Sequence, residues 1–124
     1  MNVGLFIKDF ELGTKVSSKL TELDSTFEFC EKNTDISENT KLVIIDLDNN
    51  ETGNEFFIHQ IATDRKGLRI VGYMKRVLKE HHEKFKTAGC SVILPRSSLV
   101  KNIKTFIEKI YILHTFPSRA PPPS

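Results

Sequence analysis

The sequence predicts a doubly wound α/β domain, a parallel sheet of five strands with helices on both faces. Three observations carry that reading. Short strand-like runs and helix-spaced patterns alternate five times along the chain. The central run, Leu42-Val-Ile-Ile, is apolar without alternation, as a strand buried on both faces must be. It ends on Asp46, a carboxylate at the strand end where open α/β sheets place their chemistry.

Each element has its own warrant. Residues 3–7 form a short apolar run, read as the first strand. Leu12, Val16, Leu20 and Leu23 follow at helical spacing. Residues 26–30 alternate, with Phe27 and Phe29 on one side and Thr26 and Glu28 on the other, which predicts a second strand at a sheet edge. Residues 31–40 are polar and leave room for one short helical turn, so the second helix is expected to be short or absent. Residues 42–46 are the third strand. Gly53 opens a helix carrying Phe56, Phe57 and Ile61, and residues 68–73 are the fourth strand. Residues 76–87 are charged, with Val77, Leu78 and Phe85 as apolar anchors, and predict an exposed helix. Residues 91–94 form the fifth strand, which Pro95 ends. Ser98 is placed to cap a last helix with Val100, Ile103, Ile107 and Ile110 on one stripe.

At 124 residues the chain is sized for one domain with a real core. That domain is read over residues 1–115. Residues 116–124 contain four prolines and are expected to be an extended tail or linker. The net charge is +2, from 18 basic and 16 acidic residues mixed along the sequence, which argues against a nucleic-acid partner. No run reaches the length of a membrane span and no leader pattern opens the chain, so a cytoplasmic location without membrane partners is the expectation. Cys30 and Cys90 are read as small buried hydrophobes in a reducing compartment, not as a disulfide.

Four motifs follow one another along the chain: Leu42-Val-Ile-Ile-Asp46-Leu47, Gly53 followed by Glu55 and Phe56, Ala88-Gly89, and Pro95 after the fifth strand. In order and spacing they together resemble the receiver domain of bacterial two-component response regulators. The resemblance covers residues 2 to about 112. It implies a flavodoxin-like, receiver-type sheet in the order 2-1-3-4-5. It also implies a cis Leu94–Pro95 bond and a docking face on the helix before the fifth strand, that strand and the last helix.

Family roles fall on this chain position by position. Asp46 takes the phosphoacceptor position and Asp9 that of the second metal-binding acid, while Lys8 stands where the first acid would be. Met74 replaces the phosphate-binding hydroxyl, Leu94 the phosphate-binding lysine and Ser91 the aromatic switch residue. Receivers need Mg²⁺ because the attacking carboxylate and the phosphoryl group are both negative. Two or three carboxylate oxygens must hold that metal. With Lys8 in the acid pocket, an ion pair to Asp46 or Asp9 is expected in place of a metal. Arg96, beyond the proline, is expected to face solvent or the last helix. Gly72-Tyr73-Met74 and Leu94-Pro-Arg-Ser97 resemble the degenerate receivers called pseudo-receivers.

The function so implied is a non-enzymatic signalling module that binds a protein partner, with a second copy as one option, without phosphorylation and without a cofactor. Asp46 phosphorylation with Mg²⁺ is one alternative. A small-molecule-binding flavodoxin-like domain is the other, weakened because Lys8-Asp9-Phe10-Glu11-Leu12 offers no Gly/Ser/Thr-rich phosphate loop. Phe106, Tyr111 and Phe116 exceed what one helical stripe can bury, so Phe106 and Tyr111 are expected on the interaction face. His81-His82, between Glu80 and Glu83, is read as a solvated charged face in preference to a metal site. His59 and His114 have no evident partners.

Overall fold

A computed structural model describes the backbone of residues 1–115 and the side chains of residues 1–110. Tyr111, His114 and the proline-rich segment therefore lie outside the described side chains. The elements alternate along the chain. β1 (Asn2–Phe6), α1 (Phe10–Glu22), β2 (Thr26–Phe29) and a single 3₁₀ turn (Asn33–Asp35) come first. β3 (Thr40–Asp46), α2 (Glu55–Asp64), β4 (Arg69–Met74) and α3 (Lys79–Ala88) follow. β5 (Val92–Pro95), a second 3₁₀ turn (Arg96–Ser98) and α4 (Leu99–Thr115) complete the order. The sheet is parallel throughout, in the order β2-β1-β3-β4-β5.

The period of two in each strand feeds two separate cores. Leu42 and Ile44 of β3 face α1 and α4, where they meet Leu12, Val16, Leu20, Leu99, Ile103 and Phe106. Val43 and Ile45 face α2 and α3, where they meet Ile58, Ile61 and Phe85. β3 is therefore apolar at every position because each of its faces carries a helix layer. Cys30 and Cys90 are both free and buried in the second core, and burial pushes their thiols up to about 11 and about 12.

The 3₁₀ turn takes the place of a helix between β2 and β3, as the polar 31–40 stretch predicts. Polar contacts, not apolar packing, hold that segment. The Glu28 carboxylate accepts from the Ser37 amide (2.9 Å), the Ser37 hydroxyl (2.5 Å), the Thr40 hydroxyl (2.9 Å) and Asn2 Nδ2 (3.2 Å). Burial alone would raise the Glu28 pKa; these donors outweigh it and hold the carboxyl below its ordinary value. Arg65, just past α2, donates to the carbonyls of Ile36, Ser37 and Glu38. Two charged side chains thus anchor a connection that an amphipathic helix would otherwise hold by packing.

Two sequence expectations fail here. The Leu94–Pro95 bond is trans. β5 runs extended through Pro95, which pairs with Met74, and Leu94 packs inward as an ordinary strand residue. Phe106 is 6% exposed and belongs to the α1/α4 core, not to an open face. On a long helix packed against both sheet and α1, the apolar stripe is wide enough to take Phe106 as well as Ile103 and Ile110.

Candidate functional site

The C-terminal ends of β1, β3, β4 and β5 converge on one edge of the sheet. Asp46 pairs in register with Tyr73, and Tyr73 with Leu94, so the three stand level on neighbouring strands. Strand alternation points Tyr73 and Leu94 toward the α1/α4 side. Met74, one residue on, goes to the opposite side and joins the α2/α3 core. Ser91 lies level with Ile70, three residues below the pocket, or about 10 Å at strand rise. The positions expected to carry the hydroxyl, ammonium and aromatic of a phosphorylation switch are thus two core side chains and a remote serine.

Asp9 has two partners. It is the N-cap of α1, with Oδ1 accepting from the Leu12 amide at 2.9 Å. Its Oδ2 accepts from Arg96 Nη2 at 2.6 Å. The Leu12 amide first, and Arg96 second, hold the Asp9 carboxyl below its ordinary value. A capping role therefore accounts for this aspartate without any metal.

The cation in the pocket is Arg96, not Lys8. Lys8 turns away and pairs with Glu51 of the loop after β3, at 2.9 Å between two well-exposed side chains. The reason is desolvation. An ammonium keeps its water beside exposed Glu51, whereas reaching half-buried Asp46 would strip it. The guanidinium of Arg96 is more weakly hydrated and is already seated on Asp9. The expectation that Arg96 faces solvent or the last helix fails because, from the 3₁₀ turn over Arg96–Ser98, its guanidinium reaches Asp9 at the start of α1.

Asp46 has no ion-pair partner among the described residues. Its Oδ1 accepts from the Asp48 amide at 2.8 Å, and its carbonyl accepts from the Thr52 hydroxyl at 2.6 Å. Burial raises its pKa, and the Asp48 amide and the nearby Arg96 charge oppose that rise only in part. The loop after it has no room for a side chain at Gly53. A Cβ on Gly53 would run into the Leu47 carbonyl, and the Gly53 amide donates to the Asn49 carbonyl at 2.6 Å. Asn54 then caps α2 through the Phe57 amide at 2.8 Å.

Tyr73 is the pocket residue that motif reading misses. Its side chain is fully buried and its hydroxyl has no hydrogen-bond partner among the described residues. Burial first, and the Asp46 charge second, push its pKa up. The available signal was register: the β3 and β4 runs end level, which sets Tyr73 beside Asp46. The residues present do not fit Mg²⁺. Among the described residues no group of three His, Cys, Asp or Glu could hold a metal, and Asp9 is already taken by Arg96. His81-His82 joins no such group, and His59 contacts Thr63 at 3.4 Å.

No protein-family model and no curated protein matches the sequence. Solved structures do match. An orphan response regulator of H. pylori aligns at TM-score 0.73 and 18% identity, over 89% of this chain and 95% of that one. The non-phosphorylated HemR receiver domain of Leptospira biflexa aligns at 0.72 and 17%, over 99% and 98%. A CheY-like receiver domain protein of Methanospirillum hungatei aligns at 0.71 and 13%, over 88% and 94%. At these identities it is the architecture that is shared. Together with the strand order, these matches show that the chain has the fold of response-regulator receiver domains.

Proposed function

We propose that this chain is a pseudo-receiver, a cytoplasmic signalling module that acts by binding another protein and is not switched by phosphorylation at Asp46. One observation carries the reading, the 2.6 Å bond between Arg96 and Asp9. In a phosphoacceptor site a metal cancels the charge between the acids and the incoming phosphoryl group. Here a side chain supplies permanent positive charge at one acid, and guanidinium does not deprotonate at any accessible pH. Leu94, level with Asp46, offers no ammonium, and Met74, turned into the α2/α3 core, offers no hydroxyl at the position expected to stabilise an acyl phosphate. The domain has no catalytic group in this reading and acts as a surface.

The test is incubation of the full chain with acetyl phosphate and Mg²⁺, read by intact mass. The expected result is no Mg²⁺-dependent adduct. Stoichiometric, Mg²⁺-dependent labelling that disappears in Asp46→Asn would overturn the reading in favour of a phosphoacceptor.

A further inference from the structure

α2 and α3 pack side by side over one face of the sheet and leave an open groove of about 800 Å³ between their outer flanks. Its walls are Glu55, Phe56 and His59 of α2 and Glu80, Glu83 and Lys84 of α3. Phe56 is 84% exposed, one of the two most exposed large apolar side chains described. Glu80, Glu83, Lys84 and Thr87 sit at helical spacing, so one flank of α3 faces the groove along its length.

The charge of this groove runs against that of the chain. Three carboxylates line it against one ammonium, on a protein of net charge +2. The one ammonium is partly engaged, since Lys84 lies over the Phe85 ring at 4.9 Å. None of the three carboxylates has an ion-pair partner among the described residues. An exposed aromatic ring flanked by unpaired acids is complementary to a segment that offers an apolar anchor flanked by Lys or Arg. α2 has ten residues, about 15 Å at helical rise, so the groove offers room for roughly three turns of a third helix.

We infer that the α2/α3 groove docks a basic amphipathic helix of a protein partner, with Phe56 as the apolar contact and Glu55, Glu80 and Glu83 as the charge contacts. The inference rests on the reading of the domain as a protein-binding module and names the surface it uses. It places that surface away from Phe106, which is in the core.

The test uses the full chain and a fluorescein-labelled 14-residue helical peptide of Lys and Leu, with the leucines on one stripe. A matched peptide with Glu for Lys is the control. Binding is read by anisotropy against salt, and the footprint by amide chemical shifts of ¹⁵N-labelled protein. The expected result is binding of the Lys peptide only, weakened by salt, with shifts confined to residues 54–59 and 80–88. Glu80→Lys with Glu83→Lys should weaken it about tenfold or more. Phe56→Ala and a Leu→Ala change in the peptide should weaken it non-additively, as a direct contact requires. No binding, a footprint elsewhere, or unchanged affinity in the Glu80→Lys/Glu83→Lys protein would overturn the inference. All arms are repeated in Asp46→Asn. The groove can therefore fail while Asp46 stays unlabelled, and Asp46 labelling can appear while the groove still binds.

Discussion

Arg96 donates to Asp9 at 2.6 Å across 87 positions of sequence, tying the loop after β5 to the start of α1. The same aspartate caps that helix. The contact therefore joins two elements of the α1/α4 layer at the rim of the pocket and neutralises one of its acids.

Asp9→Asn and Asp9→Ala should separate the two jobs. Asparagine still caps a helix but loses the ion pair; alanine loses both. The expected order of thermal midpoints is wild type, then Asn, then Ala, with the wild-type advantage over Asn shrinking in high salt. The pH dependence follows from the lowered Asp9 pKa. The contribution is fully present above the ordinary carboxylate value of 3.8 and is lost as pH falls through the lower folded value. The wild-type and Asn midpoints should thus converge in strong acid. A difference that persists there would rule out the ion pair as its source.

Removing the resident cation should be a precondition for metal binding. Lys8→Asp alone restores an acid at the family position but leaves Arg96 on Asp9. Combining Lys8→Asp with Arg96→Ala adds a new carboxylate next to Asp9 and Asp46 and frees Asp9 of its cation. Measurable Mg²⁺ affinity is expected in the double variant and not in Lys8→Asp alone, by calorimetric titration. Equal affinity in both would show that Arg96 is not what blocks the metal.

Asp46→Asn should stabilise the fold at neutral pH. Burial raises the Asp46 pKa, so the folded state favours its protonated form. That favourable contribution is present below the ordinary value of 3.8 and is lost as pH rises through the raised folded value, leaving a half-buried unpaired charge at pH 7. Asparagine keeps the acceptor for the Asp48 amide without the charge. A gain of roughly 0.5–2 kcal/mol is the usual size for such a change. Chemical denaturation at pH 7 and pH 3.5 checks it, the gain being larger at pH 7.

Phe106→Ala should cost about 3–5 kcal/mol, the range for emptying a core aromatic site. Phe106→Glu should leave the chain largely unfolded by circular dichroism. If Phe106→Glu folds normally, the side chain is not buried as the α1/α4 core requires.

How much of this was legible in the sequence depends on range. Period-two and helix-spaced patterns are local, and they place all five strands and the missing helix, while the strand order is what the resemblance to receiver domains implies. The loss of the hydroxyl and ammonium positions at Met74 and Leu94 is legible through the resemblance, by counting back from Gly89 and Pro95. The register that sets Tyr73 and Leu94 level with Asp46 belongs to the folded sheet. The direction of a long charged side chain is another matter. Lys8 and Arg96 both have long flexible stems, and each had acids on offer. Their partners were settled by how far each head group is dehydrated and by the 3₁₀ turn after Pro95. The burial of Phe106, by contrast, is a local matter, because Leu99, Ile103, Phe106 and Ile110 recur at i, i+4, i+7 and i+11 on a single stripe of α4. Hydrophobic periodicity along the chain determined the architecture of this protein. The charge pairing in its pocket and the face it leaves open were decided by tertiary packing, since desolvation depends on neighbours that only the folded chain brings together.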